Sequence, residues 1–290
     1  MARLHDKSLF FCAGLPRSGS TLLCNILAQN ESFHVTATSG IVDVLRVIRD
    51  MFDRNPSFKA MPNEERTTVK LDTAAGALSG YFTNNTEPVC IDKSRGWPGL
   101  LEFMSSVFGD RDSIKLLVTV RDVRDVLASF EKLYRITSAQ HPAPLETIDG
   151  KPSTALARAY ALMEPGRVVG SSLIGIKDAV TRGWASNMLF VDYDLLTTRT
   201  EYVLRDIYSH FGLPYYGQHN FVKVEQRTEE DDSVHGYLGL HKIRSTIERQ
   251  PPQWPQVYDK QVVESPFWEM VEHEARFWEQ LENIKIAGVQ

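Results

Sequence analysis

Residues 8 to 30 combine three features that few folds accommodate: an apolar run, a glycine-rich turn and a helical pattern. The turn, Gly14-Leu15-Pro16-Arg17-Ser18-Gly19-Ser20-Thr21, follows the apolar run and opens the helix. Glycines let the backbone close around an anion, and the first amides of the helix, at its positive dipole end, point toward that anion. This order of elements therefore predicts a phosphate-binding loop at the carboxyl end of a strand in an α/β fold.

The rest of the chain alternates short apolar runs with longer helical patterns, which is typical of βαβ units. We expect a three-layer, P-loop-like α/β fold with a central parallel sheet flanked by helices, formed by one domain over residues 1–290. Strands are expected near 8–14, 33–37, 88–92, 114–120, 173–177 and 188–192. Helices are expected near 20–30, 40–53, 64–83, 98–108, 123–134, 154–163, 198–211 and 264–282. Two irregular loops, 137–152 and 226–256, are expected to cover a site.

Composition narrows the function classes. The formal net charge of −5 gives no general attraction to nucleic acid or to an anionic membrane, so recognition of phosphate must come from a local cluster of basic residues. The three cysteines lie in apolar segments without zinc or disulfide spacing, as in a cytosolic protein. No apolar stretch reaches the length of a membrane span. We expect a cytoplasmic protein with no metal, no nucleic-acid partner and no membrane partner, and assembly into a homodimer stays open.

The loop differs from the nucleotide-binding pattern G-x-x-x-x-G-K-[ST] at one position. Ser20 stands where that pattern has lysine, so the clamp on the β- and γ-phosphates is missing. Arg17 lies inside the loop, and the hydroxyls of Ser20 and Thr21 are available, which suits a shorter phosphate chain without Mg²⁺. A P-loop kinase or nucleotide hydrolase remains the alternative. The candidate ligand-binding residues of the loop are Arg17, Ser18, Gly19, Ser20 and Thr21.

Two further strands end in a cation. Lys93 follows the run that begins at Pro88, and Arg121 follows the run that begins at Ile114. Carboxyl ends of parallel strands share one edge of a sheet, so both side chains should face the same site as the loop. Ser129, about two helical turns after Arg121, can bring its hydroxyl to an anion that Arg121 binds.

These motifs resemble those of PAPS-dependent sulfotransferases (PAPS is 3′-phosphoadenosine 5′-phosphosulfate), closest to the tyrosylprotein-type and bacterial members. Pro-Arg-Ser-Gly-Ser-Thr at 16–21 is similar to their 5′-phosphosulfate loop, and Arg121 with Ser129 is similar to their 3′-phosphate site. The segment from Leu189 to Pro214 also resembles this superfamily. The resemblance implies transfer of a sulfuryl group, release of adenosine 3′,5′-bisphosphate (PAP), and catalysis by Lys93 assisted by Arg17. It also implies a late basic loop, with Lys242 and Arg244, over the adenosine.

The general base that takes the acceptor's proton departs from the family pattern. Counting from the loop places Thr38 where tyrosylprotein sulfotransferases have a glutamate, and Arg95 stands where cytosolic ones have a histidine. Neither side chain accepts a proton at neutral pH. The nearest candidates are Asp43 and His34, of which we predict Asp43. The acceptor stays open among protein tyrosine, carbohydrate, lipid and small metabolite, and a non-catalytic nucleotide-binding protein of the same fold is a further alternative.

Overall fold

The strands of the described chain form one sheet. A computed structural model describes residues 2–4, 7–140, 154–228 and 230–289. Among these residues the strands are β1 (Ala2–Leu4), β2 (Lys7–Gly14), β3 (Phe33–Val35), β4 (Val89–Lys93), β5 (Leu116–Val120), β6 (Met188–Asp192) and β7 (Lys285–Ile286). The strand order is β3-β4-β2-β5-β6-β7 with all neighbours parallel, and β1 pairs antiparallel with the start of β2.

Helices cover both faces of this sheet. Their bounds are α1 (Ser20–Leu27), α2 (Ile41–Arg54), α3 (Pro56–Lys59), α4 (Asn63–Tyr81), α5 (Leu101–Phe108), α6 (Val123–Gln140), α7 (Ala155–Met163), α8 (Val168–Thr181), α9 (Tyr193–Thr198), α10 (Thr200–Phe211), α11 (Trp254–Val257), α12 (Lys260–Val263) and α13 (Pro266–Glu274). Short 3₁₀ turns lie at Trp97–Leu100, Ala185–Asn187, Asp232–His235 and Phe277–Gln280. In the described part of the chain, no helix has the length and apolar character to cross a bilayer.

The alternation of side chains along β2 shows how the layers form. Leu9 and Phe11 pack into one apolar cluster with residues of α2, α4, α5 and α8, whereas Phe10 and Cys12 pack into a second cluster with residues of α1 and α10. Successive side chains of a strand point to opposite faces, so a strand apolar at every position must lie between two layers. The expected three-layer α/β fold with a central parallel sheet is confirmed.

One strand prediction is wrong. Residues 173–177, expected as a strand, lie within α8 (Val168–Thr181). The buried apolar residues of α8 are Val169, Leu173, Ile176 and Ala179, whose spacing of three to four positions is helical. Read over five residues, the apolar run looks like a strand, because the helical period shows only over a longer window.

The predicted helix at 264–282 is also wrong in part. The structure has α13 at Pro266–Glu274, a break at Ala275 and Arg276, and then a 3₁₀ turn. At the break, the carbonyl of Ala275 accepts a hydrogen bond of 2.9 Å from the amide of Val123, the first residue of α6. The first amides of a helix lack partners within it, so this tertiary contact caps α6. The expected irregular loop at 137–152 begins later, because α6 extends to Gln140; residues 141–153 lie outside the described part.

Candidate active site

Three neighbouring strands end at one edge of the sheet. In the parallel register, Cys12 of β2 lies beside Lys93 of β4, and Gly14 lies beside Thr119 of β5. The glycine-rich loop, Lys93 and Arg121 therefore lie at the same edge. This arrangement agrees with the expectation that the carboxyl ends of these strands open onto one site.

The loop itself is held in a conformation that few residues adopt. Arg17 has a φ of 60° and Gly19, which precedes α1, has a φ of 90°. A Cβ on Gly19 would lie 2.7 Å from the Tyr193 ring, so only glycine fits without a shift. The buried hydroxyl of Ser18 lies 2.5 Å from the carbonyl oxygen of Leu15 and 2.7 Å from the hydroxyl of Thr119. The Ser18 side chain therefore braces the loop from inside.

Arg17 reaches across the loop to two other elements. Its Nε donates a hydrogen bond of 3.0 Å to the hydroxyl of Ser129 on α6, and its Nη1 donates to the carbonyl oxygen of Leu240. Burial and the neighbouring positive charge of Arg121 lower the pKa of Arg17 to about 10. Two predicted site residues, Arg17 and Ser129, are thus in direct contact.

Arg121 is buried beside the loop. Its Nη1 lies 3.5 Å from the carbonyl oxygen of Arg17, and its Nη2 lies 3.3 Å from the carboxylate of Asp125. The guanidinium carbon lies 4.4 Å from the centre of the Tyr193 ring, within the range of a cation–π contact. Arg121, Asp125 and Tyr193 also line a cleft that continues to Arg249 and Arg276.

Lys93 contacts a carboxylate that is distant in sequence. Its Nζ donates a hydrogen bond of 2.8 Å to Oε1 of Glu230, and the two side chains are only 9% and 7% exposed. The hydroxyl of Thr38 donates a bond of 2.7 Å to the other oxygen, Oε2. Burial would raise the pKa of Glu230, but the charge and hydrogen bond of Lys93 outweigh it, so the pKa lies below its ordinary value.

A histidine adjoins the same carboxylate. Nδ1 of His241 lies 2.6 Å from Oδ1 of Asp232 and 3.1 Å from Oε2 of Glu230. Burial lowers the pKa of His241, and the two carboxylates oppose that shift. Because Nδ1 faces two acceptors, the tautomer with the proton on Nδ1 is favoured.

Other predicted residues lie farther out. Asp43, on α2, pairs with Arg46 at 3.2 Å, and its side chain is 78% exposed. Lys242 and Arg244 are exposed, although the backbone of their loop contacts Arg17 through Leu240. Ser20 and Thr21 begin α1 and are half-buried. The described side chains contain no group of three or more His, Cys, Asp or Glu arranged to hold a metal ion.

Sequence reasoning missed three residues of the site: Glu230, Asp125 and Tyr193. Tyr193 carried a signal, because it directly follows β6 and so lies at the same sheet edge. Asp125 lies one helical turn after Arg121, the spacing of an ion pair on a helix. Glu230 lies in the acidic run 229–232, which gave no reason to choose one carboxylate among four.

Comparisons with known proteins agree with one another. The family model described as "Sulfotransferase family" matches residues 10–217. The structure of sulfotransferase STF9 from Mycobacterium avium aligns with a TM-score of 0.51 at 14% identity, over 98% of this chain and 79% of that one. A sulfotransferase domain from the curacin biosynthetic pathway aligns with a TM-score of 0.50 at 16% identity, over 95% and 91% of the two chains. No curated protein matches the sequence. At these identities the structural matches concern the fold.

Proposed function

Because the chain belongs to the sulfotransferase family, we propose that it transfers a sulfuryl group from PAPS to a hydroxyl or amine acceptor and releases PAP. One observation carries the proposal: Arg17, Lys93 and Arg121 lie at the carboxyl ends of three adjacent parallel strands, around a glycine-rich loop that leads into a helix. This sheet edge is where an open parallel sheet binds ligands, and the cations suit an anion with several charges.

The residues present fit a doubly phosphorylated nucleotide. Arg17 and Arg121 are like charges held close together, and both burial and Arg121 lower the pKa of Arg17. An anion between two guanidinium groups relieves their repulsion and accepts their hydrogen bonds. Arg17 and the first amides of α1 suit the 5′-phosphosulfate, and Arg121 with Ser129 suits the 3′-phosphate.

The chain's own residues supply charge stabilisation and orientation. Transfer forms a bond between sulfur and the acceptor oxygen or nitrogen and breaks the bond between sulfur and the bridging oxygen. The electron pair stays on that bridging oxygen, where negative charge grows. The ammonium of Lys93 donates a hydrogen bond to it, and Arg17 shares this role. This charge stabilisation requires no metal ion.

A P-loop kinase or hydrolase is disfavoured by Ser20, which stands where such enzymes have the lysine that binds the β- and γ-phosphates. A thermal-shift titration compares PAP with ATP–Mg²⁺. We expect PAP to raise the melting temperature at concentrations where ATP–Mg²⁺ has no effect. A preference for ATP–Mg²⁺ would overturn the proposed donor.

The acceptor is tested with ³⁵S-labelled PAPS against four pools: tyrosine-containing peptides, carbohydrates, lipid alcohols and small hydroxylated or amino metabolites. Transfer of label to one pool names the acceptor class. Binding of PAP without transfer to any pool would favour a non-catalytic binding protein of the same fold.

The role of Lys93 is tested with Lys93→Ala, matched to Lys59→Ala at an exposed position on α3. We expect Lys93→Ala to lower turnover of PAPS about 100-fold or more, because the leaving oxygen loses its charge stabilisation. Lys59→Ala should keep wild-type turnover. A Lys93→Ala rate within about threefold of wild type would refute this role.

A further inference from the structure

The transfer reaction releases a proton, and the site needs a group to take it. Base catalysis requires a proton-accepting side chain within hydrogen-bond reach of the attacking hydroxyl or amine, close to the reacting sulfur. In the proposed reaction, Lys93 is the group that donates to the leaving oxygen. A base that serves the same sulfur must therefore lie near the Lys93 ammonium.

Glu230 meets this condition among the described residues. Its carboxylate lies 2.8 Å from Nζ of Lys93, and its side chain is 7% exposed. Asp92, the residue before Lys93, points to the opposite face of the sheet, where its carboxylate accepts a bond of 2.9 Å from Trp97. The predicted base, Asp43, is largely exposed and paired with Arg46. We propose that Glu230 is the general base of the transfer reaction; this rests on the proposed function.

The surroundings of Glu230 orient its carboxylate. Thr38 donates to Oε2 from the segment after β3, and Nδ1 of His241 lies 3.1 Å from the same oxygen. A base held by contacts from several segments keeps one geometry, which base catalysis requires. These contacts therefore fix the position of the Glu230 carboxylate, although its side chain is long.

The contact with Lys93 also links donor binding to base strength. While Lys93 donates to Glu230, the ion pair holds the pKa of this carboxyl down. When Lys93 turns to the bridging oxygen of the donor, Glu230 loses that partner and stays buried beside added negative charge. Both changes raise its affinity for a proton. Glu230 then takes the proton of the acceptor as the new bond to sulfur forms and the bond to the bridging oxygen breaks.

A pH profile separates these two states. The rate constant at saturating donor reports the donor-bound enzyme, whereas the ratio kcat/KM reports the free enzyme. We expect the acidic limb of kcat to lie at higher pH than that of kcat/KM. Several groups contact Glu230 or lie close enough for their charge to act on it, and they come from four segments of the fold. These groups are Cys24, Thr38, Lys93, Arg95, Asp232 and His241.

The deciding variant is Glu230→Gln, which keeps the size of the side chain and removes its basicity. Asp231→Asn is the matched control, because it removes one charge from the neighbouring exposed position. PAP binding is measured by calorimetry on the full chain. Turnover is measured in single-turnover experiments with ³⁵S-labelled PAPS. One experiment follows hydrolysis, the release of ³⁵S-sulfate by water, which needs no identified acceptor. A second follows transfer of the label to the acceptor found above.

We expect Glu230→Gln to bind PAP at least as tightly as wild type, since Lys93 is freed, and to turn PAPS over about 100-fold more slowly. Its residual rate should lose the acidic limb of the pH profile.

Tighter PAP binding together with turnover within about threefold of wild type would overturn the assignment. That result would mean that Glu230 only pairs with the Lys93 ammonium while no donor is bound. A wild-type chain that binds PAP without releasing sulfate, or a loss of turnover in Asp43→Asn instead, would also overturn it. A wild-type chain that does not bind PAP would instead defeat the proposed function, and the assignment of Glu230 would fail with it.

Discussion

The Asp92→Asn variant should be more stable than the wild-type chain, and its advantage should grow as the pH rises. Asp92 is fully buried in β4. Burial raises its pKa from the ordinary 3.8 to about 6, although hydrogen bonds from Ser39 and Trp97 oppose the shift. The second carboxylate oxygen, Oδ2, has no hydrogen-bond partner in the described part of the chain. An asparagine mimics the protonated acid, and its carbonyl oxygen can accept the bond from Trp97.

The sign follows from proton binding. The folded chain holds the Asp92 proton more tightly than the unfolded chain, so wild-type stability is full below pH 3.8 and falls until the pH passes about 6. A two-state titration with these pKa values gives a loss of about 1.6 kcal/mol at pH 5.0 and about 3 kcal/mol at pH 7.5. Asparagine does not titrate. The gap between variant and wild type should therefore widen by about 1.4 kcal/mol between these pH values, whatever the constant difference between amide and acid.

Urea unfolding at pH 5.0 and 7.5, followed by circular dichroism, measures this gap. The exposed Asp72→Asn variant controls for the loss of one negative charge from the chain. Equal slopes in urea for wild type and variant are needed before the free energies of unfolding are compared. A gap that stays constant, or that narrows toward pH 7.5, would refute the conclusion that the Asp92 carboxylate is destabilised by burial.

Two further changes test the packing around the sheet edge and α6. Gly14→Ala should destabilise the fold by at least about 3 kcal/mol or prevent folding, because its φ is 144° and a Cβ would lie 2.2 Å from the backbone of β5. The matched Gly76→Ala change, at an exposed position of helix α4, meets no atom within 4 Å and should raise the melting temperature slightly. Glu131→Gln should cost about 3 kcal/mol in urea unfolding, since this buried carboxylate pairs with Arg135 and Arg158 at 2.8 Å each. A cost below about 0.5 kcal/mol would show that the two arginines stabilise the fold without it.

The sheet was largely predictable because most positions of its central strands are apolar. Strands such as β2, β5 and β6 are buried on both faces, so each contributes a mainly apolar run of at least three consecutive residues that polar or turn residues delimit. The same reasoning fails for the two residues of β7, which are too few to form a pattern. It also fails for α8, whose helical spacing of apolar residues does not show within a five-residue window.

The site was predictable where a functional residue directly follows a strand in the sequence. It was unpredictable where the residue reaches the site through a contact between distant segments. The loop, Lys93 and Arg121 each follow their own strand, so parallel pairing alone brings them to one edge. Glu230 reaches Lys93 across 137 positions of sequence, through an irregular segment with no periodicity. Only the packing of that segment against the edge distinguishes Glu230 from its acidic neighbours.

The three cations of the edge are held in different electrostatic settings, and this difference has a consequence for binding. Lys93 and Arg121 each contact a carboxylate, from Glu230 and Asp125. The contacts described for the Arg17 side chain are with uncharged oxygens, from Ser129 and Leu240, and its pKa is lowered by burial and by Arg121. The charge of Asp232 offsets only part of this shift. A desolvated cation whose charge is only partly balanced raises the free energy of the folded chain, and a bound phosphate restores that loss as affinity. Arg17 should therefore contribute more to anion affinity than Lys93, whose own carboxylate must first be displaced.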